Sequence, residues 1–399
     1  MPDAAASSPS PTLTDAPARP YVLFEDGQAA GQVQLFEAPE ELIVAREPGE
    51  AREAFARMEA ASKRGLYLAG YASYELGYAL EPKFSTQTTP RSRTPLLLFG
   101  AFRAPRVCTL APADMAAPRI ALTPAWSESE YAERFRACRD YIFAGDVYQI
   151  NLTFPLYGRF EGEPLALYRA LRKRQPVAYG GVVALGGETI VSLSPEVFFE
   201  SHSLLSATGA PMGRAIRARP MKGTAQRGFM PPEDMARAKY LVEDEKSRAE
   251  NLMIVDLLRN DLSRLAEVGS VKVTDLFTVQ TYPTLHQMTS GIEAKLRENV
   301  TLAELFSGLF PCGSVTGAPK IRAMEIIRDL ECAARGVYCG SLGVISPDGD
   351  MRFNVAIRTL TIFPDHELIC NVGSAIVADS TAREEYGECL IKARFLTGA

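Results

Sequence analysis

Short apolar runs set off by glycine, proline and polar turn residues recur through this chain, and only a few stretches are long and unbroken enough to be helices. Such runs favour strands, because short alternating or continuous apolar segments bury one or both faces of a sheet. In the first hundred residues YVLF, ELIVA, LYLAGYASYEL and PLLLFGAF read as strands, and PGEAREAFARMEAAS reads as one amphipathic helix. The proline-bearing stretch RVCTLAPADMAAPRIALTPAW has little periodicity and is expected to be a connection. A boundary near residue 120 follows: a disordered Pro/Ala/Ser-rich tail at 1–20, an N-terminal α/β part at 21–120, and a larger part at 121–399. The two folded parts are compatible with one continuous structural unit.

Ser127 and Glu130 form a capping-box pattern ahead of YAERFRACRDYIFAG, where Tyr131, Phe135, Cys138 and Ile142 recur at helical spacing and Gly145 supplies a stop. DVYQINLTF, GGVVAL, TIVSLS and EVFFES then read as strands. HSLLSATGAPMGRAIRAR is longer than a tight hairpin and is expected to be a mobile loop. Between Pro232 and Val268 strong helix formers without inner glycine or proline predict one long helix. Two more helices are expected from Pro319 (KIRAMEIIRDLE) and after Asp379 (STAREEYGECLIKARFL), the latter capped by Thr381 and Glu384. This irregular alternation of sheet and helix favours the α+β class.

Of 399 residues 43 are Lys or Arg and 48 are Asp or Glu, a net charge of −5 that offers no footprint for nucleic acid. The seven cysteines are odd in number and lack the paired short spacings of a zinc site, which fits a reducing cytoplasm. The first residues lack the basic start and apolar core of a signal peptide, and no apolar run is long enough to span a bilayer, so no membrane is expected.

Glu250 lies on the long helix, and Glu385 and Glu388, three apart, share one face of the last helix. Carboxylates facing one cavity suit Mg²⁺, a hard cation with oxygen ligands, although helix glutamates are ordinarily solvated. CGSVTGAPK, YCGSLG and VGSAIVADS are glycine-bearing segments whose main-chain N–H groups could hold a carboxylate, or simply tight turns. Arg358 sits in the apolar run VAIRTLTIF, where a guanidinium needs an acidic partner or an anionic ligand if it is buried. Lys222, in RPMKGT, is by default a solvated turn residue; as a nucleophile it requires burial or cationic neighbours that lower its pKa from about 10.4.

Taken in order, GDVYQINLT, SLSPEVFF, RPMKGT, RAENLMIVDLLRNDL, HQMTS, CGSVTGAPKIRAMEII, YCGSLG, AIRTL, VGSAIVADS and EEYGECLIKA resemble the motif series of the chorismate-utilising enzymes, from residue 127 to about 396. The resemblance implies two packed antiparallel β-sheets flanked by helices, with a cleft beside them, and makes residues 121–399 the chorismate-binding catalytic domain. It implies Glu250 and Glu388 as Mg²⁺ ligands, with Glu385 acting through water. It implies Arg358 and Tyr338 as the clasp on the enolpyruvyl carboxylate, and the backbone around Gly373 and Ser374 as a loop donating N–H groups. Ser314 and Thr224 match further substrate contacts, His286 a histidine near the ring's C4 side, and Lys392 a lysine one turn past the metal-binding glutamate.

Within the family, anthranilate synthases carry alanine in a PIAGT motif and aminodeoxychorismate synthases carry lysine in PIKGT, so PMKGT implies the second chemistry. In the implied mechanism Lys222 adds to C2 as the 4-hydroxyl leaves with Glu196 as general acid, and ammonia then displaces Lys222 by attack at C4. Glutamine hydrolysis needs a nucleophilic cysteine with a histidine partner. Cys312 lies inside a substrate-loop motif and the histidines are His202, His286 and His366, so the implied ammonia source is a separate glutamine amidotransferase subunit. Anthranilate synthesis, or a non-catalytic chorismate-binding paralogue, is the rival reading.

Overall fold

The apolar runs become strands of two sheets in the computed structural model, which describes residues 11–25, 31–87, 89–113, 117–206, 208–281 and 285–397. The first sheet runs in the order Thr12–Leu13, Arg106–Leu110, Gln32–Glu37, Tyr21–Glu25, Gly181–Ala184, Thr189–Ser192, Thr359–Ile362, Glu367–Ile376, Gln149–Arg159 and Gly317–Ala318, with Thr123–Pro124 also beside Gln149–Arg159. The second runs Met221–Gln226, Leu285–Lys295, Pro211–Ala218, Val197–Leu205, Met351–Asn354, Ser341–Ile345, Tyr67–Ala72, Leu97–Phe102 and Glu41–Ala45, with Lys272–Thr281 also beside Leu285–Lys295. These neighbours pair antiparallel except Thr12–Leu13 with Arg106–Leu110, which is parallel. The expected α+β arrangement of two antiparallel sheets with flanking helices is therefore present.

Strand pairing crosses residue 120 in both sheets. Tyr21–Glu25 pairs with Gly181–Ala184, and Tyr67–Ala72 pairs with Ser341–Ile345. Residues 1–10 of the expected tail lie outside the described residues, and Thr12–Leu13 pairs with Thr109–Leu110.

Tyr21–Glu25 and Leu97–Phe102 are buried along their whole length, as continuous apolar runs require. Val22, Phe24, Phe36, Val183 and Ile190 of the first sheet pack with Ala69, Tyr71, Leu98, Phe102 and Leu342 of the second. Helix Pro164–Arg174 contributes Leu165, Leu167, Tyr168 and Leu171 to a cluster with the first sheet. Helices Ala51–Lys63 and Leu302–Leu309 bring Phe55, Met58, Leu305 and Phe306 onto the second, where Phe199 and Phe353 stack at 4.9 Å. Each fully buried side chain of this kind contributes about 1.5–3 kcal/mol relative to exposure.

Helices Glu128–Phe143, with the reciprocal Ser127/Glu130 box, Lys320–Leu330 and Ala382–Lys392 stand where the pattern places them. The expected single helix after Pro232 is two helices, Pro231–Glu243 and Glu245–Ser263. Asp244 makes the break: its ψ is 111° and its carboxylate accepts from Ser247 N at 2.8 Å, starting a new helix where composition alone shows no breaker. The expected loop before RPMKGT is instead mostly a hairpin of Val197–Leu205 and Pro211–Ala218, with Glu200 opposite Arg217 and Ser203 opposite Arg214. Arg106–Leu110, read as part of a connection, is a strand. Among the described residues no helix is long and apolar enough to cross a membrane.

Candidate functional site

Lys222 stands in Met221–Gln226, which pairs with Leu285–Lys295 so that Met221 faces Thr289 and Thr224 faces Gln287. Three steps on one strand match two on the other, so Lys222 and Gly223 carry one extra residue: a β-bulge that re-aims the side chain. Gly223 adopts φ +86°, and a Cβ there would come within 2.9 Å of Ser247 Cβ, so both backbone angle and close approach require glycine. Lys222 is partly buried, and burial is the main cause holding its pKa below the usual lysine value. Glu250, Glu196 and Glu388 pull the value upward and Lys392 pushes it down.

Glu196 ends the turn that Ser194 braces: Ser194 Oγ donates to Val355 O at 2.6 Å, and Glu196 N donates to Ser194 Oγ at 3.2 Å. Only 5% of Glu196 is exposed, and burial raises its carboxyl to about 7. The Ser314 hydroxyl, donating to Oε1 at 2.9 Å, and the Lys222 charge restrain that rise. A carboxyl near 7 exchanges its proton under physiological conditions, which general acid–base catalysis requires. Beside Ser314, burial pushes the Cys312 thiol up to about 12, so it carries little thiolate at neutral pH.

The three glutamates expected to hold a metal lie on two helices near Lys222. Burial raises the Glu250 pKa, Lys222 and Lys246 oppose the rise, and Glu385 and Asp379 add to it, as facing like charges do. Glu385 accepts from Ser380 Oγ at 2.7 Å, Glu388 pairs with Lys392 at 2.7 Å, and Lys246 bridges to Asp379 at 3.1 Å. Among the described residues no group of three or more His, Cys, Asp or Glu side chains is gathered tightly enough to hold a metal ion. The oxygen-only donors fit Mg²⁺ in kind, and a divalent cation would relieve the repulsion that Glu250 feels. As arranged, Glu385 and Glu388 are turned to partners within the chain.

Arg358 is partly buried at φ +50°, a left-handed conformation that costs a non-glycine residue about 1–3 kcal/mol. Burial alone lowers its pKa, and among the described residues no carboxylate pairs with it. Gln175, with its amide oxygen turned toward the guanidinium, accepts from Nε and Nη1. A desolvated cation beside a neutral amide is suited to an incoming carboxylate. Tyr338 is 7% exposed, and burial keeps it a neutral phenol.

Gly373 and Ser374, expected in a loop, lie inside strand Glu367–Ile376, opposite Thr153 and Leu152. This differs from the expectation because the apolar run continues to Ile376. The strand still leaves an edge there, since Thr359–Ile362 pairs only as far as Cys370. Lys392 Nζ donates to Gly373 O at 2.8 Å, and in an antiparallel strand the N–H of a residue points to the same side as its carbonyl. Ser374 Oγ is bonded to the Tyr131 hydroxyl at 2.9 Å.

His286 is engaged by partners within the chain. It is 2% exposed, with Nε2 2.8 Å from Asp234 Oδ1 and Nδ1 3.0 Å from Thr281 Oγ1, an arrangement that clasps helix Pro231–Glu243 to the sheet. Thr224 is exposed and donates to Gln287 Oε1 at 3.2 Å. Gln287, which no motif singles out, is the residue paired with Thr224. Strand alternation was the available signal that only one of His286 and Gln287 faces Thr224.

A family model described as chorismate binding enzyme matches residues 107–398. Aminodeoxychorismate synthase component 1 of Klebsiella aerogenes is 40% identical over 280 residues, 69% of this chain and 60% of that protein. Anthranilate synthase component 1 of Thermus thermophilus is 39% identical over 288 residues, 72% of this chain and 60% of that protein. The match thus spans about 60% of the length of these curated relatives. The crystal structure of anthranilate synthase component I from Streptococcus pneumoniae TIGR4 superposes with a TM-score of 0.77 at 23% identity, covering 96% of this chain and 94% of that one. The two-sheet fold and the order of motifs around Lys222, Glu196 and Arg358 thus agree with the family match over residues 107–398: this chain belongs to the chorismate-binding enzymes.

Proposed function

We propose that the chain aminates chorismate at C4, giving 4-amino-4-deoxychorismate with the enolpyruvyl group retained. The observation that carries this reading is the bulge lysine, Lys222, with its pKa lowered by burial beside Glu196 at about 7. The neutral Lys222 amine forms a bond to C2 as both conjugated ring double bonds shift and the C4–O bond breaks, and Glu196 gives its proton to the departing hydroxyl, which leaves as water. Ammonia then bonds to C4, the two double bonds shift back, the C2–N bond to Lys222 breaks, and the Glu196 carboxylate accepts a proton from the new ammonium group. Arg358 and Tyr338 hold the enolpyruvyl carboxylate, while the Gly373 N–H, Ser314 and Thr224 orient the remainder. Glu250, Glu388 and Glu385 would hold Mg²⁺, which when bound neutralises the ring carboxylate. Lys392 keeps Glu388 and the Gly373 carbonyl in register.

Ammonia comes from a separate glutamine amidotransferase subunit, a reading supported by the protonated Cys312 and by the clasped His286. The product feeds 4-aminobenzoate and folate synthesis in the cytoplasm. The reading is tested by incubating the chain with chorismate, Mg²⁺ and ammonium and assaying pyruvate. Little pyruvate is expected alongside chorismate consumption. Stoichiometric pyruvate would identify anthranilate-type chemistry and overturn the assignment.

A further inference from the structure

We infer that Gln287 is a positioning residue that pins the Lys222–Gly223 bulge and thereby aims Lys222. The inference rests on the proposed function for its effect on turnover, though not for its structural part. A bulge leaves its extra residue outside the regular ladder, so its conformation needs fixing from elsewhere. Gln287 supplies two contacts: Nε2 donates to Gly223 O at 3.0 Å, and Oε1 accepts from the Thr224 hydroxyl at 3.2 Å. One amide thus holds the carbonyl of the bulge glycine with its nitrogen and the side chain just after it with its oxygen.

Backbone register explains why Gln287 and not its neighbour takes this place. Thr224 lies opposite Gln287 and Ala225 opposite His286, so the two side chains leave the strand on opposite faces. His286 is spent on Asp234 and Thr281, whereas Gln287, partly buried, sits on the Thr224 face. On the far side Ser247 and Leu241 close upon Gly223, so the bulge is held between two helices and one glutamine.

The test compares the full chain with Gln287→Met, which keeps length and removes both bonds, and with Thr224→Ala, which removes one. Deuterium uptake of a peptide covering 221–226 is read by mass spectrometry, together with kcat and KM for chorismate at saturating ammonium. Expected for Gln287→Met are uptake at least about tenfold faster at 221–226 with the rest of the chain unchanged, and a kcat roughly 10- to 100-fold lower with KM within about threefold. The double variant should lose less than the product of the two single losses, since both act on one network. Unchanged uptake at 221–226, or faster uptake with wild-type kcat, would overturn the proposal. If the wild-type chain releases pyruvate instead of making the amino product, the reaction assignment falls, and the uptake comparison still decides whether Gln287 pins the bulge.

Discussion

The Ser314 hydroxyl donates to Oε1 of Glu196 at 2.9 Å, and this contact is first among those that keep the buried carboxyl from rising above about 7. Removing it in Ser314→Ala should raise the Glu196 pKa and move the alkaline limb of the kcat profile upward by roughly half to one pH unit. A pH–rate series on the two proteins checks this. Stability carries a matching sign. Between the unfolded value of about 4.3 and the folded value of about 7, the folded protein binds a proton that the unfolded chain has released, so stability falls as pH rises through that window. Glu196→Gln should flatten this slope in urea melts taken from pH 5 to 8, while abolishing turnover.

Lys222 has the opposite linkage. Its folded pKa lies below the unfolded value, so burying the charged form costs stability at neutral pH, and stability rises with pH between the two values. Lys222→Met should therefore melt at a higher temperature at pH 7 while losing turnover on the order of 10³-fold or more. Intact-mass spectrometry with chorismate and no ammonium should show an adduct on the wild-type chain that the variant lacks. An adduct that persists in Lys222→Met would place the nucleophile elsewhere.

The left-handed backbone and desolvated charge of Arg358 cost free energy in the fold, which a bound carboxylate would offset. Arg358→Lys keeps the charge and loses the planar fork, so kcat/KM for chorismate should fall about 10- to 100-fold, mostly through KM. Steady-state kinetics measures the split. A fall in kcat with KM unchanged would mean that Arg358 does not hold the ground-state carboxylate.

Glu388 is half exposed and paired with Lys392, so its removal should not unfold the protein. Glu388→Ala is expected to raise the Mg²⁺ concentration for half-maximal activity by about tenfold or more, with turnover at limiting Mg²⁺ nearly abolished. A Mg²⁺ titration identical to that of the wild-type chain would exclude it as a ligand.

The fold was legible where patterns are local. Caps at Ser127 and Thr381 announced their helices, and the fully apolar YVLF and PLLLFGAF runs announced buried strands. Asp244 was not legible as a break, because a capping aspartate differs from a helical one only in where its carboxylate turns. At the site, Glu196, Lys222 and Ser314 could be named from motifs, yet the burial that shifts Glu196 and Lys222 comes from the packing of distant segments. Arg358 could be named as a cation in need of a partner, and its φ of +50° could not. His286 and Gln287 show the same limit: which of two neighbours on a strand stands opposite Thr224 depends on the pairing register, which sets Gln287 there and His286 opposite Ala225.

The most direct measurement is incubation of the purified chain with chorismate, Mg²⁺ and ¹⁵N-labelled ammonium, followed by NMR and mass analysis of the product. The account predicts a ¹⁵N label bonded to C4 of a ring that retains its enolpyruvyl side chain. A label bonded to C2 of an aromatic ring, with pyruvate released, would contradict it.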